Sequence, residues 1–176
     1  MKKKIMFFAA LLVLTFLPAT FSFAKAKTIQ FRLVLSKEEA KSIPNKKYSY
    51  IAHKGQASKE VLVSKEVLLS REDIDSMVVI KKEDSRYKDF PEIDVVFTKE
   101  GSAKLAKVTE QNLRKSIAIV VDDQIFSAPY IVYPVVKGHF LISNWKVDTD
   151  EAAKNFVSGL GFTPTVKDVT KGQANK

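Results

Sequence analysis

Apolar and polar positions alternate from residue 28 to 35, with Ile29, Phe31, Leu33 and Leu35 set against Thr28, Gln30 and Arg32. A period of two marks a strand with one buried face. Ser36 stands three residues ahead of Glu39, a capping-box spacing that predicts a short helix ending near Pro44. Residues 47–53 and 60–69 are rich in Tyr, Ile and Val and predict two strands around a turn at Gly55. Ser70 with Asp73 predicts another short helical start, residues 77–80 a strand, and the charged stretch 81–88 a loop or exposed hairpin end.

The pattern sharpens after Pro91. Ile93, Val95 and Phe97 alternate with Glu92 and Asp94 as a strand. Thr98 then caps a helix expected to run to about Leu113, with Ala103, Leu105, Ala106, Val108, Thr109 and Leu113 as its apolar stripe. The β-branched run 117–121 predicts a buried central strand, Asp122-Asp123 a turn, and 124–128 the returning partner. Pro129 has no N–H to donate and is expected to end that pairing and send the chain along the sheet rim. Residues 140–143 predict a further strand. Asp148 or Thr149 caps a last helix whose face is Ala152, Ala153, Phe156, Val157 and Leu160, and Gly161 stops it. The polar residues 167–176 are expected to fray as a flexible tail. Residues 25–166 thus predict one α+β domain, a ferredoxin-like sandwich with helices on one face of a mainly antiparallel sheet and additional N-terminal strands.

The N-terminus follows a different pattern. Lys2, Lys3 and Lys4 precede a run from Ile5 to Leu17 that is apolar apart from Thr15, shorter than the roughly 20 residues of a membrane span. Ser22-Phe23-Ala24 and Ala24-Lys25-Ala26 both fit the small-x-small pattern of signal-peptidase cleavage. Residues 1–24 are therefore expected to be a signal peptide; an uncleaved anchoring helix would leave the cleavage pattern without a reason. Export to the periplasm, or beyond it, follows.

Composition changes the picture in two respects. The 176 residues include no cysteine, which removes disulfides, thiol nucleophiles and Cys-ligated metals. The formal charge is +9, but Lys2, Lys3 and Lys4 leave with the signal, so the remaining 152 residues carry +6. Those charges are interspersed with acids rather than clustered with stacking aromatics, so nucleic acid is not the expected partner. They favour solubility and transient contact with anionic membrane surfaces.

Candidate chemistry is sparse. His53 and His139 lie far apart, and neither has a second metal-ligand residue at local spacing. The carboxylate pairs Glu38/Glu39, Glu72/Asp73 and Asp148/Asp150 sit where helix starts favour negative charge, and Asp122/Asp123 sits in a turn. Neither a nucleophile elbow nor a phosphate-binding glycine loop occurs. No cofactor or metal is called for, and the expectation is a non-enzymatic protein.

One stretch stands out: Ser116-Ile117-Ala118-Ile119-Val120-Val121-Asp122-Asp123-Gln124-Ile125-Phe126-Ser127-Ala128-Pro129-Tyr130-Ile131. With Phe97-Thr98-Lys99-Glu100-Gly101, Thr109 and Asn112, Ile142-Ser143 and Asp150-Glu151-Ala152-Ala153, it resembles the head region of the first periplasmic domain of SecD, an accessory of the Sec translocase. The likeness extends upstream through 65–74 and covers about residues 60–166. Asp123, Arg114 and Asn144 stand where the family has Gly, positions at which a positive φ is expected. The family's membrane helices have no counterpart here, so the resemblance implies a free-standing head without proton-driven pulling.

What the resemblance implies is a module that engages unfolded or translocating polypeptide, or components of the Sec translocon, in protein export. An apolar groove or an open strand edge rimmed by Lys and Arg would serve. The candidate contacts are Phe126, Ser127, Pro129, Tyr130, Ile131 and Tyr133, with Phe140 and Trp145; the competing reading places these aromatics in the core. The alternative function is a structural, assembly or secreted interaction protein of the cell envelope using the same fold as a scaffold.

Overall fold

A computed structural model describes residues 27–43, 47–53, 56–82, 91–143 and 147–169. The proposed signal at 1–24, the turn at Gly55, most of the charged stretch 81–88, Asn144 and Trp145 lie outside the described residues.

Strand β1 (Ile29–Leu33) is followed by α1 (Lys37–Ser42), β2 (Tyr48–His53), β3 (Gln56–Ser64) and the two-residue β4 (Leu69–Ser70). A 3-10 turn (Arg71–Asp73) leads into β5 (Ile74–Lys82). Then come β6 (Glu92–Phe97), α2 (Lys99–Gln111), β7 (Ile117–Val121), β8 (Gln124–Ser127), β9 (His139–Ser143), α3 (Asp150–Gly159) and β10 (Thr165–Val169). The fold is α+β with mainly antiparallel pairing, as the patterning predicts; β2 with β8 and β5 with β10 are the parallel pairs. The strand at 165–169 extends through residues expected to fray: Lys167, Asp168 and Val169 pair with Ile80, Lys81 and Lys82.

The strands form two sheets. The first has the order β3-β2-β8-β7-β1-β4 and the second β10-β5-β6-β9. The first curls: Val34, just past β1, bridges Val63 of β3, and the Leu35 amide donates to the Leu62 carbonyl at 2.9 Å. That return encloses a small core of Ile51, Val63, Ala118, Val120 and Ile125. The main core lies on the opposite side of β7, where Ile117, Ile119 and Val121 meet Ile29 and Phe31 of β1, Met77 and Val79 of β5, and Ile93, Val95 and Phe97 of β6. Strand β7 is thus buried on both faces, which is why its sequence is an unbroken apolar run rather than an alternating one.

Local signals set the helix ends. Ser36 and Glu39 form the capping box of α1, with the Ser36 amide 2.8 Å from Glu39 Oε2. Thr98 caps α2 by accepting from the Gly101 amide, and Thr149 rather than Asp148 caps α3. Gly161, at φ +78°, ends α3. The buried face of α2 is Gly101, Leu105 and Thr109, a strict i+4 row; Ala103 and Leu113 of the expected stripe are exposed. Gly101 belongs to that row because a Cβ there would collide with the carbonyl of Asp73, which also accepts from the Thr98 amide at 2.9 Å. No described helix is long and apolar enough to cross a membrane.

Candidate functional site

The hairpin β7–β8 turns on Asp122 and Asp123, at φ +47° and +59°, so Asp123 takes the conformation expected where the related family has Gly. Arg114 does the same at φ +62°. Beyond β8 the chain does not leave the sheet at Pro129, as expected, but stays paired. The Ile117 amide donates to the Pro129 carbonyl at 3.0 Å, Ser116 bridges Tyr130, and the Ile131 amide donates to the Lys115 carbonyl at 2.8 Å. Proline forfeits only the reciprocal bond of its pair, because its carbonyl still accepts.

From Tyr130 to Gly138 the chain crosses the surface with regular anchorage. Ile131 is buried in the main core, and its carbonyl accepts from the Arg114 amide at 2.9 Å. Val135 packs against the same core, and its amide donates to Thr109 Oγ1 at 2.9 Å. Gly138, at φ +67°, lies against Ser102, and its carbonyl accepts from the Phe97 amide at 2.9 Å. Beside these anchors Tyr130, Val132, Tyr133 and Val136 project outward, 59%, 60%, 78% and 71% exposed. Single exposed apolar residues are ordinary on a protein surface; four within seven positions of a segment held at three points form a patch.

The sequence candidates divide accordingly. Tyr130 and Tyr133 belong to this patch. Phe126 stacks on Phe156 with centroids 4.3 Å apart, and Ile131 is buried, so both spend their surface on the core. Phe140 is half-buried and meets Phe31 edge-on at 6.0 Å. Ser127 and Pro129 are half-buried at the rim beside the patch. Val132 and Val136 escaped the sequence reading. Their signal is the run Ile131-Val132-Tyr133-Pro134-Val135-Val136, apolar yet broken by proline and fitting neither strand nor helix periodicity.

The remaining chemistry is structural. Asp73 accepts from the Ser70 amide and pairs with Lys104 at 2.6 Å, docking the 3-10 turn on α2. The Lys115 ammonium and the Ser36 amide hold the Glu39 carboxyl below its ordinary pKa, and the Ser70 hydroxyl does the same for Glu72. Asp122 accepts from the Thr28 amide at 2.9 Å, and Asp150 pairs with Lys81. His139 Nδ1 lies 2.9 Å from Asp94 Oδ2, a pair 45 residues apart in sequence that no local spacing reveals. No group of three metal-ligand side chains occurs among the described residues. An open depression of about 610 Å³ is lined by Ile43, Lys47, Ser64, Lys65 and Glu66, with neither a histidine nor a carboxylate pair in its wall.

A family model described as the P1 head subdomain of SecDF matches residues 46–158. The chain is 38% identical over 52 residues to the protein translocase subunit SecDF of Thermus thermophilus. That stretch is 30% of this chain and 7% of the relative, so the match spans a small part of the relative's length. A crystal structure of SecDF in a super-membrane-facing form shares the fold at a TM-score of 0.54 and 22% identity, covering 77% of this chain and 18% of that one. A second structure, that of a membrane component SecDF that enhances protein export, matches at a TM-score of 0.53 and 20% identity, covering 78% of this chain and 64% of that one.

Proposed function

The chain belongs to the SecDF P1 head subdomain family, and on that premise we propose that it is an exported, non-enzymatic module of protein export that holds unfolded or translocating polypeptide on the Tyr130–Val136 segment. The single observation carrying this reading is that Tyr130, Val132, Tyr133 and Val136 are exposed while Ile131, Val135 and Gly138 are fastened to the core and to α2. An unfolded client offers apolar side chains in no fixed geometry. A surface that is apolar and already ordered can take them without a further loss of its own conformational freedom. The two tyrosines supply contact area at low rotamer cost, and their hydroxyls keep the patch hydrated when empty.

The N-terminal pattern of three lysines, an apolar run and a small-x-small site supports export, which puts the module in the periplasm or outside the cell, where emerging chains are met. The spread of Lys and Arg, including Arg114 and Lys137 flanking the segment, adds weak, salt-sensitive attraction to acidic clients, to translocon partners and to anionic membrane surfaces.

Reduced, carboxymethylated α-lactalbumin, a permanently unfolded polypeptide, tests the reading. The protein is expected to bind it with micromolar affinity by fluorescence anisotropy, and Tyr133→Ser with Val136→Ser should weaken binding by about tenfold while leaving the circular dichroism spectrum unchanged. Absence of binding, with recovery of one stoichiometric partner from envelope extract, would favour the assembly alternative instead.

A further inference from the structure

Strand β9 is an outer strand of the second sheet, paired with β6 from Val96↔His139 to Glu92↔Ser143. The bond from the Phe97 amide to the Gly138 carbonyl sets the phase of that ladder. Phe140 and Ile142 therefore exchange bonds with Val95 and Ile93, whereas His139, Leu141 and Ser143 turn their N–H and C=O groups to the opposite side. Among the described residues no strand pairs there.

Proteins blunt such edges with charge, proline or extreme shortness. The other outer strands of the two sheets follow that rule: β3 carries Glu60 and meets Val34 at Val63, β10 carries Lys167 and Asp168, and β4 has two residues. Strand β9 reads His-Phe-Leu-Ile-Ser, with no lysine, arginine, acid or proline, and its central Leu141 is 56% exposed. An uncharged edge beside guarded ones is a template open to strand pairing.

We infer that β9 takes up an extended, uncharged segment of an unfolded polypeptide as a fifth strand, its backbone bonding to His139, Leu141 and Ser143. This rests on the reading of the chain as a polypeptide-holding module and specifies how the client is gripped. Size selects the occupant. Five residues span about 17 Å, too little to bury the roughly 1,200 Å² of a stable interface with a folded partner or a second copy, but enough for transient strand addition. Backbone bonding is also indifferent to side-chain identity, as a general client site requires. The nearby Asp94 carboxylate, whose Oδ1 is buried without a hydrogen-bond partner among the described residues, disfavours acidic side chains on the Leu141 face.

Two variants test the edge with the same unfolded α-lactalbumin. Leu141→Pro removes an outward N–H and no β6 bond, and Leu141→Lys adds a guarding charge at an already exposed position. At high salt, where the added charge does not itself attract this acidic client, each should weaken binding by about three- to tenfold, and hydrogen exchange at Leu141 and Ser143 in the unaltered protein should slow on adding the client. Unchanged binding by Leu141→Lys together with unchanged exchange overturns strand addition while leaving the Tyr130–Val136 reading intact. Failure of the unaltered protein to bind overturns both, and concentration-dependent dimerisation abolished by Leu141→Lys would assign the edge to a second copy.

Discussion

The hydroxyl of Thr109, buried in α2, accepts a hydrogen bond of 2.9 Å from the amide of Val135, while donating at 2.7 Å to the Leu105 carbonyl of its own helix. One threonine thereby ties the middle of an exposed apolar segment to the helix beneath it. Replacing it by the near-isosteric valine keeps the packing and leaves the Val135 N–H with no acceptor. Thr109→Val is expected to destabilise the protein by about 1–3 kcal/mol in urea unfolding. Amide exchange should accelerate at 132–136 before it does in β7; uniform acceleration would contradict the local role.

Gly101 provides a test in which helix propensity and packing have opposite signs. On propensity alone, Gly101→Ala in the first turn of α2 would stabilise by about 0.5–1 kcal/mol. The new Cβ would instead collide with the Asp73 carbonyl, backbone that cannot move without displacing the 3-10 turn. A loss of about 2 kcal/mol or more is expected on thermal unfolding. A rise in Tm would mean that α2 and the turn are not in contact.

Arg114 and Asp123 hold positive φ without being glycine, at +62° and +59°. A left-handed conformation costs an ordinary L-residue about 1–2 kcal/mol, somewhat less for Asp. Arg114→Gly and Asp123→Gly should therefore each raise stability by about 0.5–1 kcal/mol, Arg114→Gly by more. Calorimetry on both single variants checks the order.

Glu39 makes stability depend on pH in a defined direction. Its carboxyl is held below the ordinary value of 4.5, first by Lys115 and then by the Ser36 amide. A depressed folded pKa means that this stabilisation is present above about pH 4.5 and is lost as pH falls through the folded value. Glu39→Gln is thus expected to flatten the acid limb of the stability profile, and only modestly, because its side chain is 38% exposed and the pair partly screened. An acid limb identical in both proteins would show that the Lys115 pair contributes nothing.

How much of this was legible in advance depended on the range of the interactions involved. The caps at Ser36, Thr98 and Thr149 and the stop at Gly161 were readable because each such residue and the backbone group it bonds lie within four residues. The strand runs were readable because period-two burial is written along each strand. Which strands share a sheet was not, because pairing of β1 with β7 or of β5 with β10 joins residues 84 or more apart without any local mark.

The candidate site followed the same rule. Ile125 and Phe126 are adjacent, yet both are buried, one in each core, because β8 has packing on both faces and alternation then carries no information about exposure. By itself the sequence determined an α+β chain of amphipathic strands and helices, its turns and caps, and its resemblance to the SecD head. Only the tertiary structure decided that Phe126 and Ile131 stay inside while Tyr130, Val132, Tyr133 and Val136 face solvent. It also decided that β9 keeps an open edge. Hydrophobicity states that a side chain gains by leaving water, but the fold determines which of them find a neighbour to leave it for.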